Sequence, residues 1–272
     1  MDKITKFLVK CRMSRLVSNR DLLKMIQISF KKTDFYHECC HYMKIRLGKE
    51  KYNQFLLLIR GVELNGVNAL SFMDPSYPQQ LRNIYDPPAL LFYKGNKNLL
   101  LNRCLAIVGS RNATEYSYNC IRGLVPQIVD RYTVVSGLAL GADMMAHKAC
   151  LDNHGQTIAV LGNSVEMCYP KANQSLQRQI ATAGLLISEY PPGDQAQKWH
   201  FPQRNRIIAG LSEKVIITEA RQRSGSLITA QMALDSNRDV YAIPGPIMST
   251  YSTGCNELIK EGAIPLTNFT EI

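Results

Sequence analysis

From residue 104 onward, short apolar, β-branched runs alternate with helix-like stretches, and this rhythm constrains the fold more than any other feature of the sequence. The runs are Cys104–Val108, Thr133–Ser136, Thr157–Leu161, Leu185–Ser188, 215–218 and 240–243. Helix-like segments separate most of them, near 115–130, 142–152, 171–182, 201–211, 225–236 and 253–262. Strands that are apolar throughout are buried on both faces, so helices must cover both sides of a mostly parallel sheet, an α/β architecture. Ligands of such sheets bind outside the carboxyl ends of the strands. No apolar run reaches the ~18 residues of a membrane span, so no membrane partner is expected. The N-terminal stretch has no small-residue cleavage site, so no secretory signal is read.

The strand ends carry the chemistry. The first run leads into Gly109-Ser110-Arg111, the second into Ser136-Gly137-Leu138-Ala139-Leu140-Gly141, and the third into Gly162-Asn163-Ser164, with Tyr169-Pro170-Lys171 opening the next helix. A later strand ends in Thr218-Glu219-Ala220 and runs to Ser224-Gly225-Ser226 at another helix start. Glycine lets a backbone approach a ligand closely, and free N–H groups at a helix start favour anions. Four such ends on one sheet edge, with Arg111 and Lys171 beside them, read as a phosphate-binding rim. Any single loop reads equally well as a tight strand-to-helix turn. There is no Gly-x-Gly-x-x-Gly after the first strand and no phosphate-loop Lys-Ser/Thr signature, so neither a dinucleotide cofactor nor ATP hydrolysis is indicated.

Two segments precede the alternating region. Residues 1–68 read as a small bundle of three to five helices, with Leu22, Leu23, Met25 and Ile26, then Phe55, Leu58, Ile59 and Val62, at helical spacing. Lys31-Lys32-Thr33-Asp34 reads as a break, with Asp34 a helix cap. So small a bundle has little core of its own and is expected to lean on the rest of the chain. Residues 69–100 are a Pro-punctuated connecting segment with one short strand, Leu90-Leu91-Phe92-Tyr93. Residues 101–272 form the large domain. Positive charge is concentrated at the front: residues 1–68 hold 14 Lys and Arg against 6 Asp and Glu, and residues 69–272 hold 18 against 16. Such a basic segment suits a polyanion or a solvated helical surface. The eight cysteines lack paired spacing and read as reduced thiols of a cytoplasmic protein.

From about residue 70 the loops resemble those of the DNA-processing protein A (DprA, or Smf) family. The matching stretches include Ile84-Tyr85-Asp86-Pro87-Pro88, Ala106-Ile107-Val108-Gly109-Ser110-Arg111, Ser136-Gly137-Leu138-Ala139 with Gly141, Asp143 and His147, and Phe201-Pro202-Gln203-Arg204-Asn205-Arg206. Ser224-Gly225-Ser226-Leu227-Ile228-Thr229 and Gly254-Cys255-Asn256-Glu257-Leu258-Ile259 are further matches. The resemblance implies an extended Rossmann-like sheet, single-stranded DNA binding, a homodimer, and delivery of RecA to DNA in natural transformation, with no catalysis. It also implies a small N-terminal domain similar to a sterile-alpha-motif (SAM) fold, which suits residues 1–68. A C-terminal winged helix, carried by some members, has no room here. The DNA contacts so expected are Gly109, Ser110, Arg111, Ser136, Gly137, Lys171, Lys198, Arg204, Asn205 and Gly225. Leu140 and Ala142 stand where the family usually has a basic residue and Ile, and Gly162-Asn163-Ser164 replaces Gly-x-Gly. These departures shift the cationic work onto Arg111, Lys171, Lys198 and Arg204.

The apolar run Leu258-Ile259 with Ala263-Ile264-Pro265-Leu266 is the candidate dimer surface; alternatively it completes the last helix and strand against their own core. His37-Glu38-Cys39-Cys40-His41 matches the zinc-protease pattern formally but has no third ligand nearby, and reads as a helix surface. A nucleotide phosphoribohydrolase is the alternative enzyme reading, although its Pro-Gly-Gly loop is missing; Glu219 reads instead as a partner for Arg204, Arg206 or Arg221. His147 reads as a helix-capping or packing residue rather than a general base. Trp199 and Phe201, flanking His200, read equally as base-stacking platforms or as core rings.

Overall fold

The computed structural model describes residues 1–30 and 34–272. Three helices lead, α1 (Lys3–Met13), α2 (Asn19–Ser29) and α3 (Phe35–Gly61). Ser18 and Asp21 form a reciprocal capping box on α2, and Asp34 accepts a hydrogen bond from the His37 N–H at the start of α3. Gly48, at φ 74°, breaks α3 into two helical pieces. The expected break at 31–33 lies outside the described residues, but Asp34 caps the next helix as the sequence suggests. Leu22, Met25, Ile26 and Phe55 are buried, whereas Leu58 is 40% exposed, so the apolar face of α3 is narrower than its spacing implies.

The connecting segment does more than connect. It contributes β1 (Ala69–Ser71), the short helix α4 (Gln79–Arg82) and β2 (Leu90–Gly95), and both strands extend the main sheet. The rest alternates as the sequence requires: β3 (Cys104–Val108), α5 (Glu115–Ile128), β4 (Thr133–Ser136), α6 (Ala142–Asp152), β5 (Thr157–Leu161), α7 (Gln174–Ala183), β6 (Leu185–Ser188), α8 (His200–Leu211), β7 (Lys214–Ile217), α9 (Gly225–Asp235), β8 (Asp239–Ala242), α10 (Thr253–Lys260) and β9 (Ile264–Pro265). The nine strands run β1-β2-β6-β5-β4-β3-β7-β8-β9, with the β1–β2 and β2–β6 pairs antiparallel and the remaining pairs parallel.

Period-two alternation sorts the strand side chains between two cores. In β3, Cys104, Ala106 and Val108 face the core under α8 and α9, while Leu105 and Ile107 face the one under α5 and α6. The same rule divides β2: Leu91 joins the large core, while Leu90 and Phe92 join Leu8, Met25, Ile26 and Phe55 of the helices. The N-terminal helices therefore complete their core on the antiparallel edge of the sheet, which supplies the apolar surface that a bundle of this size lacks. No helix among the described residues is long and apolar enough to cross a membrane. All eight cysteines are free thiols.

Near the C-terminus the apolar run divides. Leu258 and Ile259 are half-buried and pack back on the large core, whereas Ile264 is 42% exposed in the edge strand β9. In α3, Cys39 is fully buried, and among the described residues no three His, Cys, Asp or Glu side chains gather as metal ligands.

Candidate nucleic-acid interface

The chain leaves β3 in one direction, to β4, β5 and β6, and then returns to β3's other side as β7. At such a reversal the strand-to-helix loops part and leave a crevice. Here it is a cavity of about 570 Å³, walled by the loops after β3 and β7 and by the first turns of α8 and α9, with Ala139 and Asp143 of the β4–α6 connection also on its border. Gly109, Ser110, Arg111, Lys198, Arg204, Asn205 and Gly225 all line it. Tyr169, Phe201, Arg221, Ser224, Ser226 and Thr229 line it too.

The loop after β3 opens toward the cavity. A side chain at Gly109 would collide with Thr218 and press on Ala142, so glycine is needed for close packing between β3, β7 and α6. Arg111 is exposed and has no ion-pair partner among the described residues. Its guanidinium lies 5.4 Å from the Phe201 ring centre, and that ring is 5.4 Å from Tyr169. A cation beside two aromatic faces suits an unpaired base with its phosphate.

The loop after β4 is closed from within. The Asp143 carboxylate accepts hydrogen bonds from the N–H groups of Gly137 and Ala139, at 3.1 and 3.4 Å, so those donors are already engaged. Ser136 is fully buried and donates to the Ile107 carbonyl. Arg204, 4% exposed, lies across Gly137 and donates to the carbonyls of Gly137 and Val160. Burial pushes the Asp143 carboxyl up, and the Arg204 charge counters it. Burial likewise lowers the Arg204 value, offset by Asp143. Arg204 is thus a brace beneath the cavity floor and not a free cation on the rim. Leu140 is 45% exposed in this loop, and Asn163 in the next spends its amide on the carbonyls of Ser164 and Met167.

His147 on α6 is fully buried. Thr157 gives its hydroxyl proton to the Val134 carbonyl, so the His147 Nδ1, 2.7 Å from that hydroxyl oxygen, is the donor. Burial, reinforced by the Arg204 charge, pushes the imidazole down to about 3, and its Nε2 has no hydrogen-bond partner among the described residues. It is a neutral packing residue.

Glu219 departs from the sequence expectation. Its carboxylate accepts from the Thr114 N–H and hydroxyl, at 2.8 and 2.7 Å, and so fills the start of α5. The arginines expected as its partners are engaged elsewhere: Arg206 binds Glu189 at 2.7 Å, and Arg221 stacks on Tyr251 at 4.2 Å. By contrast, among the described residues α9 has no acidic residue in its first turn and no side-chain cap; the Leu227 N–H bonds the Ser224 carbonyl at 3.2 Å, and Gly225 and Ser226 border the cavity at this uncapped start.

Of the expected contacts, Ser136 and Gly137 lie outside the cavity lining, as does exposed Lys171, two residues beyond Tyr169. Trp199 borders a different pocket. Tyr169 and Arg221 escaped the contact set because nothing in their neighbourhoods marks which way a loop side chain turns. Position alone pointed to them, each within two residues of a residue the sequence had singled out.

The loops and their order can be compared with known proteins. The model of the family described as DNA recombination-mediator protein A matches residues 68–272. The chain belongs to this family. The DNA processing protein DprA of Streptococcus pneumoniae is 48% identical over 204 residues, covering 75% of this chain and 72% of the relative. That of Bacillus subtilis is 38% identical over 273 residues, covering 97% of this chain and 92% of the relative. The X-ray structure of the Streptococcus pneumoniae protein matches with a TM-score of 0.88 at 38% identity, over 99% of this chain and 97% of that one. The Helicobacter pylori DNA processing protein A, described for its single-stranded DNA binding mode, matches with a TM-score of 0.69 at 31% identity, over 76% and 93%. As a DNA recombination-mediator protein A family member, the chain falls among proteins of DNA processing and recombination.

Proposed function

We propose that the chain binds single-stranded DNA in the switch-point cavity. The observation that carries this is the combination on one rim of exposed Arg111, Lys198 and Arg221 with the Phe201–Tyr169 ring pair and the uncapped start of α9. Cations and free N–H groups hold phosphates, and ring faces hold unpaired bases, which a duplex keeps stacked inside. The single-stranded binding mode of the Helicobacter pylori relative supports the same reading. Of the expected contacts, Gly109, Ser110, Arg111, Lys198, Asn205 and Gly225 touch the strand, Arg204 supports the floor, and Lys171 meets the strand beyond the cavity. Binding is sequence-tolerant and salt-sensitive. Gel-shift titration against a single strand and the matching duplex is the test; equal affinity for both sinks the reading.

The engagement of two acids favours binding over hydrolysis: Asp143, the only carboxylate among the residues lining the cavity, serves Gly137 and Ala139, and Glu219, just after β7, serves Thr114. A nucleotide phosphoribohydrolase would need such a carboxylate free. The family resemblance extends the proposal to a homodimer that loads RecA onto the strand. The exposed edge strand β9, with Ile264, supports self-association through that edge, and Leu258 and Ile259 back it from the core side. Light scattering at micromolar concentration should give a dimer mass. RecA ATP hydrolysis on DNA coated with single-strand-binding protein should rise on adding the chain; no rise removes the loading role.

A further inference from the structure

A second pocket is lined by residues adjacent in the chain to those of the first. It has a volume of about 440 Å³ and sits where the N-terminal helices meet the loop between β6 and α8, lined by Arg12, Arg15, Tyr190, Asp194, Trp199 and His200 among others. The two pockets share one short stretch of chain: Lys198 and Phe201 border the cavity, and Trp199 and His200, between them in sequence, border the second pocket. We propose that this pocket is a second single-strand subsite, in which Trp199 stacks on a base while Arg12 and Arg15 hold the adjoining phosphates, so that a strand leaving the cavity over Lys198 continues onto the N-terminal helical domain. This rests on the cavity's being the primary single-strand site.

Three observations carry it. The first is the ring. Trp199 is 59% exposed, yet it is fixed on one side by an edge contact with His200 at 4.1 Å, and His200 is stacked on Tyr190 at 3.7 Å. His200 is in turn anchored to the Gly162 carbonyl at 2.9 Å. A ring held on one side and open on the other is a ready stacking surface, and a core reading does not explain its exposure.

The second is charge. Arg12 and Arg15 come from the basic end of the chain, and the only carboxylate among the residues lining the pocket is Asp194. Arg15 pairs with Asp194 at 3.0 Å, and Arg12 donates to the Val17 carbonyl at 3.0 Å. The Arg15 side chain remains 61% exposed, so it can hold a phosphate without leaving its partner. With Lys198 alongside, the groove is net positive.

The third is backbone conformation. Arg15 has φ 61°, a left-handed setting rare for a non-glycine residue, and Gly193, facing it across the pocket, has φ 81°. The Asp194 carbonyl accepts the Ser164 N–H at 2.9 Å, tying this wall to the loop after β5. A β-carbon at Gly193 would lie 3.5 Å from the Arg15 guanidinium, so that guanidinium sits directly against the opposite wall of the groove.

Trp199 is the sole tryptophan of the chain, so its emission reports this pocket alone. Full-length protein is titrated with oligothymidines of about 4 to about 16 nucleotides, the range of single-strand site sizes, following both anisotropy of a labelled oligonucleotide and tryptophan emission. The shortest oligonucleotides should bind with emission unchanged, and quenching should appear only beyond a threshold length. Trp199→Ala should weaken the longest oligonucleotides about tenfold and leave the shortest unaffected, and Trp199→Tyr should restore most of the loss. Arg12→Ala and Arg15→Ala should each lower the salt slope by about one for long oligonucleotides only. Asp194→Asn, which removes the acid but keeps the shape, should tighten long-strand binding. If oligonucleotides of every length bind with unchanged emission and Trp199→Ala binds like the parent, the subsite is overturned while the cavity reading stands. If none binds at any length, the primary reading falls and the subsite with it.

Discussion

The loops after β3 and β4 are built from the same materials and do opposite things. Each follows a fully buried strand, has glycine and serine side by side at the strand end, and leads toward a helix. After β3, Arg111 is exposed beside Phe201 and the loop borders the cavity. After β4, Asp143 takes the N–H groups of Gly137 and Ala139, and Arg204 covers Gly137 from α8. A glycine-rich strand end is therefore only a potential anion site; whether it serves a ligand depends on whether the protein already supplies the anion. Glu219 makes the same point at the cap residue of α5, where a carboxylate from the loop after β7 takes the Thr114 N–H and hydroxyl.

This contrast breaks most visibly at Arg204. Arg204→Ala should cost about 3 kcal/mol of stability, because two buried carbonyls lose their donor and the buried Asp143 loses the positive charge that favours its ionised form. Denaturant unfolding measures it. A loss below about 0.5 kcal/mol, the range of an ordinary surface change, would return Arg204 to the rim.

His147 tests the sealed side through pH. Its folded value of about 3 lies below the ordinary value near 6.5, so the neutral buried form contributes fully above about 6.5. That contribution is lost as pH falls from there toward 3, at up to about 1.4 kcal/mol per pH unit. His147→Gln should therefore show a shallower decline of stability between pH 6.5 and pH 4.5 than the parent chain. Parallel curves would mean that the imidazole is already protonated in the folded protein.

On the open side the expected change is in binding. Arg111→Ala should leave stability within about 0.5 kcal/mol, weaken single-strand binding whatever the sequence, and lower the salt slope by about one. An unchanged slope in a folded variant would move the rim elsewhere. The smallest effect is the sharpest discriminator. Gly225 opens α9 with empty space where a β-carbon would project, so Gly225→Ala should stabilise by about 0.4–1 kcal/mol. The added methyl group would keep a phosphate from the α9 N–H groups, so affinity should fall while the melting temperature rises. Affinity that holds steady would remove the α9 start from the interface.

The alternating region was legible because burial on both faces writes itself into composition. Four strands, Cys104–Val108, Thr133–Ser136, Thr157–Leu161 and Leu185–Ser188, coincide with their apolar runs, and the next two are displaced by one residue. β1 and β9, of three and two residues, left no readable period, and their strand character comes from pairing with β2 and β8. The helical region was legible in type but not in dependence: the period marks Leu22, Met25 and Ile26 as inward, but nothing local says that the surface they meet includes Leu90 and Phe92 of β2.

For the site, the sequence by itself determined which residue types stand at the strand ends: Gly109-Ser110-Arg111, Ser224-Gly225-Ser226 and the aromatic–basic stretch 198–206. Only the tertiary structure decided their use. Arg111 and Arg204 are the same residue type in equally suggestive contexts, and one is exposed at a cavity while the other is 4% exposed beneath its floor. The physical reason is that strand and helix patterns are local, set by the period of side chains along one segment, whereas the environment of a loop charge is set by segments far away in sequence. Arg204 reaches carbonyls 67 and 44 residues distant, and Glu219 reaches a donor 105 residues away. Such contacts exist only once the sheet has formed and brought the strand ends together.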